Sequence, residues 1–268
     1  MNKAKDLVNH GICDISDGLV PIDLELMDSE EEHGEEPDRL HGFPEDGEIE
    51  VTSVEVIKRP KNRFLIRFGE ISVTVHEDIL IKYRMTKGSL FTKKDLSNII
   101  IADERQIAYV ESLSYLSRKP RTALEIHRKL NEKGCEEQAI METLQRLIKE
   151  GLIDDAMYAQ EWANQRVRSR GKGKLWVRQE LRQKGVSKPL IEEALSNVSE
   201  EDEYSSALAL GRKKWRQTHG EPTDRKRKTG AFLLRRGYSS SLSSKVIREL
   251  LEEDSILLEE DEDYGHST

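Results

Sequence analysis

Two adjacent carboxylates, Asp154-Asp155, are the acids in this chain best placed to do chemistry, and a run of cations follows them. A carboxylate pair can hold a divalent ion for phosphoryl transfer, but the shell needs further oxygen or nitrogen ligands. No third ligand stands nearby. Gly151-Leu-Ile-Asp-Asp reads instead as a helix stop, a short turn and an N-cap for the helix that carries Tyr158 and Trp162. The cations are Arg166, Arg168, Arg170, Lys172, Lys174, Arg178 and Arg182, with no acid among them before Glu180, and a second cluster follows at Arg225, Lys226, Arg227 and Lys228. Cations at this density neutralise phosphates by releasing counterions, without reading base sequence, and they fit an acidic protein surface equally well. Arg168, Arg170 and Lys172 are expected to be exposed. Gly171-Lys-Gly-Lys lacks the spacing and the Ser/Thr of a phosphate-binding loop. Trp162 and Trp215 occupy aligned helical positions and are expected to pack, whereas Trp176, beside the basic run, suits packing or base stacking. His127, Tyr109 and Tyr158 also read as packing residues. No catalytic, metal or cofactor residue is assigned. The expectation is a binding protein, not an enzyme, with no small-molecule substrate.

The elements that must position these cations come from a motif written three times. It runs Arg121-Thr-Ala-Leu-Glu-Ile-His-Arg-Lys-Leu130-Asn-Glu-Lys-Gly134, then Leu175-Trp-Val-Arg-Gln-Glu-Leu181-Arg-Gln-Lys-Gly185, then Gly230-Ala-Phe-Leu233-Leu-Arg-Arg-Gly237. Each copy places Leu four positions before Gly and a basic residue directly before that Gly, and the glycines are 51 and 52 residues apart. Three copies at a near-constant period indicate a repeat architecture. In the first copy Ala123, Ile126, His127 and Leu130 line one helical face, Thr122 and Glu125 have capping-box spacing, and Gly134 supplies the left-handed stop. After each glycine comes a second apolar stripe: Ile140, Leu144 and Leu147; Ile191, Leu195 and Val198; and, degenerate at one place, Ser243, Ile247 and Leu250. A helical stretch also precedes each middle helix. Each unit is therefore a three-helix module too small to bury a large core alone, for which stacking is the remedy.

The net charge of −8 hides a polarised chain. Residues 1–48 hold 15 acids against 3 bases, and residues 252–263 hold 8 acids and no base, so 49–251 carries +12. The ends are expected to be solvated acidic tails, and the basic middle implies a polyanionic or acidic partner. From 49 to 102 the pattern alternates: Val51 to Val56, a turn at Pro60, Phe64 to Phe68, a turn at Gly69, then Ile71 to Val75. This predicts a three-stranded antiparallel sheet, followed by helices at 76–84 and 93–102. The expected organisation is an acidic tail at 1–48, a small α+β segment at 49–102, modules at 103–153, 154–203 and 204–252, and an acidic tail at 253–268. The fold class is mainly α, an elongated stack of tandem three-helix repeats with a small α+β start. No apolar run reaches 18 residues, the N-terminus lacks an apolar leader core, and Cys13 and Cys135 show no metal-ligand spacing, so a cytoplasmic monomer with reduced thiols is expected.

Ala108-Tyr109, Leu116-Ser-Arg-Lys-Pro-Arg, Leu130-Asn-Glu-Lys-Gly134, Gly151-Leu-Ile-Asp-Asp, Tyr158-Ala and Glu180-Leu-Arg-Gln-Lys-Gly185-Val together resemble the RecX family of bacterial recombination regulators. The stretch Val75-His-Glu-Asp-Ile-Leu-Ile-Lys-Tyr83 is similar to the N-terminal extension of its Gram-positive members. The resemblance spans about residues 50–250 and leaves the tail at 1–48 unaccounted for. It implies a non-enzymatic modulator of RecA. Such proteins lie in the groove of the RecA–DNA filament, touch single- or double-stranded DNA, and restrain filament growth, ATP hydrolysis and strand exchange in homologous recombination, DNA repair and the SOS response. The alternative expectation is a stand-alone helical DNA-binding module or transcriptional regulator, against which no unit offers an obvious recognition helix.

Overall fold

The computed structural model describes residues 40 and 42–265, with side chains as far as 256. Most of the expected N-terminal tail, and Cys13, lie outside the described residues. The part that is described is no longer tail: Leu40 and Phe43 are buried in the first core, and Lys93 bonds Glu45 at 2.6 Å.

The predicted sheet is present as β2 (Ser53–Ile57), β3 (Arg63–Phe68) and β4 (Ile71–His76), paired antiparallel in that order. Its inward face, Ile66, Phe68, Val73 and Val75, packs on α1 (Glu77–Lys82) and on the first half of α2 (Lys93–Leu116). A second, two-stranded ladder pairs β1 (Glu48–Glu50) with β5 (Leu90–Thr92). Three-residue strands of mixed polarity carry too little alternation to be read from sequence.

Helix α2 departs from the expected boundary at 102/103. No Gly or Pro interrupts it, and a capping box between Thr92 and Asp95 starts a single 24-residue helix. Leu96 and Ile99 enter the sheet's core, while Ala108, Tyr109 and Leu116 enter the core of the first module. Asp103, only 2% exposed, stands where one core hands over to the other. It accepts both contacts from the Arg63 guanidinium, at 2.7 and 2.9 Å, and the His76 N–H at 2.6 Å.

The rest is helical. The first module joins the second half of α2 to α3 (Ala123–Asn131) and α4 (Glu137–Lys149). The second comprises α5 (Asp155–Arg170), α6 (Lys174–Gln183) and α7 (Lys188–Ser196); the third, α8 (Glu200–Arg216), α9 (Pro222–Arg235) and α10 (Ser240–Gly265). All three predicted post-glycine stripes are buried, including Ser243, Ile247 and Leu250. His127 is buried with its Nε2 2.9 Å from Glu137, and the box between Thr122 and Glu125 forms. The acidic stretch expected as a tail from 253 is helical to Gly265. Its first acids are structural: Glu253 joins Glu249 in binding Arg212, and Asp254 accepts from Arg225 and from the Trp215 indole at 2.9 Å. Trp215 is buried, as expected.

Candidate functional site

Gly134, Gly185 and Gly237 all have left-handed backbones, with φ of 75, 78 and 86°. That conformation ends the middle helix of each module at little cost for Gly. The second and third do something the first does not. A Cβ on Gly185 would lie 2.3 Å from the Leu124 side chain, and one on Gly237 would lie 2.4 Å from the Trp176 backbone nitrogen, whereas one on Gly134 would meet nothing within 4 Å. The glycine turn of each later module is thus seated on the N-terminus of the preceding module's middle helix.

The two joints match position by position. At the first, the Thr122 hydroxyl donates to the Lys184 carbonyl at 2.6 Å. At the second, the Gly173 N–H donates to the Arg236 carbonyl at 2.9 Å and the Leu175 N–H to the Gly237 carbonyl at 3.1 Å. Thr122 and Gly173 are the N-caps of α3 and α6. Counting from the caps, Arg121 matches Lys172 and Glu125 matches Trp176, while on the facing turn Lys184 matches Arg236.

The Asp154-Asp155 pair serves the first joint. Asp154 caps its own helix, accepting the Met157 N–H at 2.8 Å, and Asp155 reaches across to accept the Ala123 N–H of α3 at 3.0 Å. Both carboxylates therefore satisfy free helix-start N–H groups. Burial raises the Asp155 pKa to about 6, with the Ala123 N–H opposing and Asp154 and Glu125 adding to the rise. The folded state then holds its proton more tightly than the unfolded chain, so stability is greatest below pH 4 as far as this group is concerned and falls as pH rises toward 6 and beyond. Asp155→Asn keeps an acceptor for Ala123 without the charge. Urea unfolding of this variant at pH 4.5 and 7.5 is expected to show a smaller loss of stability over that interval than the parent, each tenfold difference in proton affinity between the folded and unfolded states being worth about 1.4 kcal/mol.

The basic residues divide sharply. Arg166 stacks on Trp162 and donates to Glu180 at 2.9 Å; Arg178 makes a two-pronged pair with Glu192; Lys174 donates to the Val198 carbonyl at 2.8 Å; and Arg225 is held by Asp254 beside Trp215. Arg168 is exposed but paired with Asp202, and Arg227 with Asp224. Of the three residues expected to be exposed, Arg168 and Arg170 are, Arg168 beside its own acid, whereas Lys172 is half-buried and lies 3.4 Å over the Trp176 ring. Arg170, Arg182, Lys226 and Lys228 are exposed, with no acidic partner among the described residues. Trp162 stacks on Tyr158 and donates its indole N–H to Glu180 at 3.0 Å, a packing role, as expected; Trp176 is 40% exposed.

Sequence reasoning missed Arg236. Its guanidinium stands 3.5 Å from the Arg170 carbonyl and close enough to Lys172 to help lower that ammonium's pKa, an effect led by burial. The signal was in the repeat itself, in the basic residue before each glycine. Lys184, its counterpart, lies over the Tyr158 and Trp162 rings and binds Glu125 at 2.8 Å.

These features define a protein of tandem three-helix repeats, locked by repeated joints and presenting unpaired cations from its second and third modules. Three family models match it in order: the first three-helix domain of RecX at 108–147, the second at 154–195 and the third at 200–247. The regulatory protein RecX of Limosilactobacillus reuteri is 32% identical over 213 residues, covering 79% of this chain and 80% of that one. The RecX of Bacillus cytotoxicus is 30% identical over 223 residues, 81% of this chain and 82% of its own. A crystal structure of regulatory protein RecX superposes with a TM-score of 0.61 at 31% identity, over 74% of this chain and 98% of that one, and RecX from Lactobacillus salivarius with 0.53 at 28%, over 56% and 97%. The chain belongs to the RecX family of regulatory proteins. Among the described residues no helix is long and apolar enough to cross a membrane.

Proposed function

We propose that this chain binds along a RecA–DNA filament and restrains its growth, its ATP hydrolysis and strand exchange. The observation that carries this reading is the pair of joints. Side-chain and backbone bonds hold the three modules in one register, so the free cations of the second and third modules are presented at fixed separation. A preset row of cations suits a partner that repeats its own charges at fixed intervals, as a helical nucleoprotein filament does. In this reading the protein acts as a cytoplasmic monomer, and Arg170, Arg182, Lys226 and Lys228 meet the filament, whether at DNA phosphates or at RecA carboxylates.

The test is ATP hydrolysis by RecA on single-stranded DNA, titrated with this protein. Inhibition is expected well below one protein per RecA. Combined Arg170→Glu and Arg182→Glu reversal is expected to relieve it, with helical content by circular dichroism unchanged. No inhibition, alongside DNA binding measured separately, would favour the stand-alone DNA-binding alternative.

A further inference from the structure

A groove opens between the first and second modules, beside the first joint. Its volume is about 510 Å³, within the ~300–1,000 Å³ of clefts that hold ligands. Its wall is largely apolar. Leu113 and Leu116 come from the end of α2, Leu152 from the turn between α4 and α5, and Met157 and Tyr158 from the start of α5. Leu113, Leu152 and Met157 are 36, 45 and 57% exposed. Large apolar side chains gathered around one concavity mark a seat for another apolar group.

Arg121 belongs to the same wall and is short of partners. Its guanidinium stacks on Tyr115 at 3.9 Å, and its Nε is enclosed without a hydrogen-bond partner. Glu125 stands 3.8 Å away, beyond hydrogen-bond distance, and is already held by Lys184 at 2.8 Å. A buried donor left unpaired costs free energy that a carboxylate placed beside it recovers. Arg118 and Lys119, in the loop that leads into Arg121, are exposed and have no acidic partner among the described residues. Helix α5 contributes acids to the groove: Asp154, engaged as its cap, and Glu161, one turn beyond Met157. The carboxylates of an occupant therefore turn toward residues 118–121 and away from Glu161.

The chain carries a segment of this chemistry. Residues 1–39, outside the described residues, hold 12 acids against 3 bases, and their most apolar stretch is Leu19-Val-Pro-Ile-Asp-Leu-Glu-Leu-Met27. Laid extended, a period of two puts Ile22, Leu24 and Leu26 on the side that enters the groove and leaves Asp23 and Glu25 at its rim. The reach is sufficient. Leu40 is buried in one cluster with Leu96 and Ile99 of α2, and Leu113 lies about 25 Å beyond Leu96 along that helix. Residues 27–40 span up to about 40 Å when extended. A second copy of the chain is the poorer occupant, because it brings a middle of +12 against Arg118, Lys119 and Arg121.

We propose that residues 19–27 of this chain occupy the groove, with Ile22, Leu24 and Leu26 against Leu113, Leu152 and Met157, and with Asp23 and Glu25 meeting Arg118, Lys119 and Arg121. The segment straps the N-terminal unit to the first joint, since α2 starts in one and ends at the other. Neither RecA nor nucleic acid enters this contact, so it stands apart from the filament reading.

Two experiments on the full chain test it. In a Cys13→Ser, Cys135→Ser background, Leu24→Cys is paired with Ser117→Cys, at a polar position of the groove's lining. Mild oxidation is expected to close this intramolecular disulfide about tenfold faster than one between Leu7→Cys and Ser117→Cys, more than the roughly threefold that the longer tether of residue 7 explains. Equal rates for the two pairs, or a disulfide that forms only between copies, would overturn the proposal. The second experiment follows a fluorescein-labelled peptide of residues 17–30 by anisotropy. Leu24→Asp with Leu26→Asp frees the groove of its own segment. This variant is expected to bind the peptide about tenfold more tightly than the parent, whose tethered copy competes at an effective concentration on the order of millimolar. Adding Met157→Glu, at an exposed site, is expected to weaken that binding about tenfold or more, with circular dichroism unchanged. Absence of binding to the doubly substituted variant, equal binding to it and the parent, or indifference to Met157→Glu would each refute the assignment.

Discussion

Replacing Asp103 with alanine is expected to destabilise the N-terminal unit by about 3–5 kcal/mol, the usual cost of removing one partner from a buried ion pair. The physical reason lies in what stays behind. The Arg63 side chain, 13% exposed, loses both bonds to the carboxylate and keeps only Thr74, through its carbonyl at 2.9 Å and hydroxyl at 3.1 Å. The His76 N–H, at the start of α1, loses its acceptor as well. An uncompensated buried cation dominates the loss, so the paired replacement Arg63→Met with Asp103→Leu is expected to be far milder than Asp103→Ala. Urea unfolding monitored by near-ultraviolet circular dichroism measures the difference, and amide exchange at Ile66 and Val75 locates it. Equal stability of Asp103→Ala and the parent would mean that apolar packing of Leu96 and Ile99, and not this pair, ties the sheet to α2.

The second large effect separates three glycines that the sequence writes alike. Gly134→Ala is expected to cost about 1–2 kcal/mol, the strain of a left-handed alanine, because open space surrounds the new methyl. Gly185→Ala adds a collision with the Leu124 side chain, and crowding of this kind costs a further 1–3 kcal/mol, roughly. Gly237→Ala is expected to be the worst, since the methyl meets the backbone nitrogen of Trp176 at 2.4 Å and that atom cannot rotate away. The last two variants are also expected to open their joints, seen as a larger radius of gyration in small-angle scattering, whereas Gly134→Ala keeps the parent's shape. Equal unfolding midpoints for all three variants would show that the glycines act only as helix stops.

The repeat was legible because its signals are local. A stripe such as Ile140, Leu144 and Leu147, a capping box at Thr122 and a left-handed glycine are each written within a turn or two of helix, where spacing alone decides which side chains share a face. The sheet at 53–76 was legible for the same reason, by alternation and short turns. The ladder between Glu48–Glu50 and Leu90–Thr92 was not, because its strands are short and about forty residues apart. Nor was the continuity of α2, whose first half serves one core and whose second half serves another. The acidic C-terminal stretch misled because charge density reads as solvation, and only its neighbours reveal Glu253 and Asp254 as partners of Arg212 and Arg225.

The candidate site was legible as composition and not as placement. The sequence by itself determined the three modules, their helix stops, the basic middle and the capping role of Asp154. Tertiary structure alone decided which cations are free, because an ion pair depends on what faces a side chain from another helix and not on what precedes it in the chain. Arg166, Arg178 and Arg225 found acids on neighbouring helices, while Lys172 and Arg236 met across a joint where the first copy's glutamate has become a tryptophan.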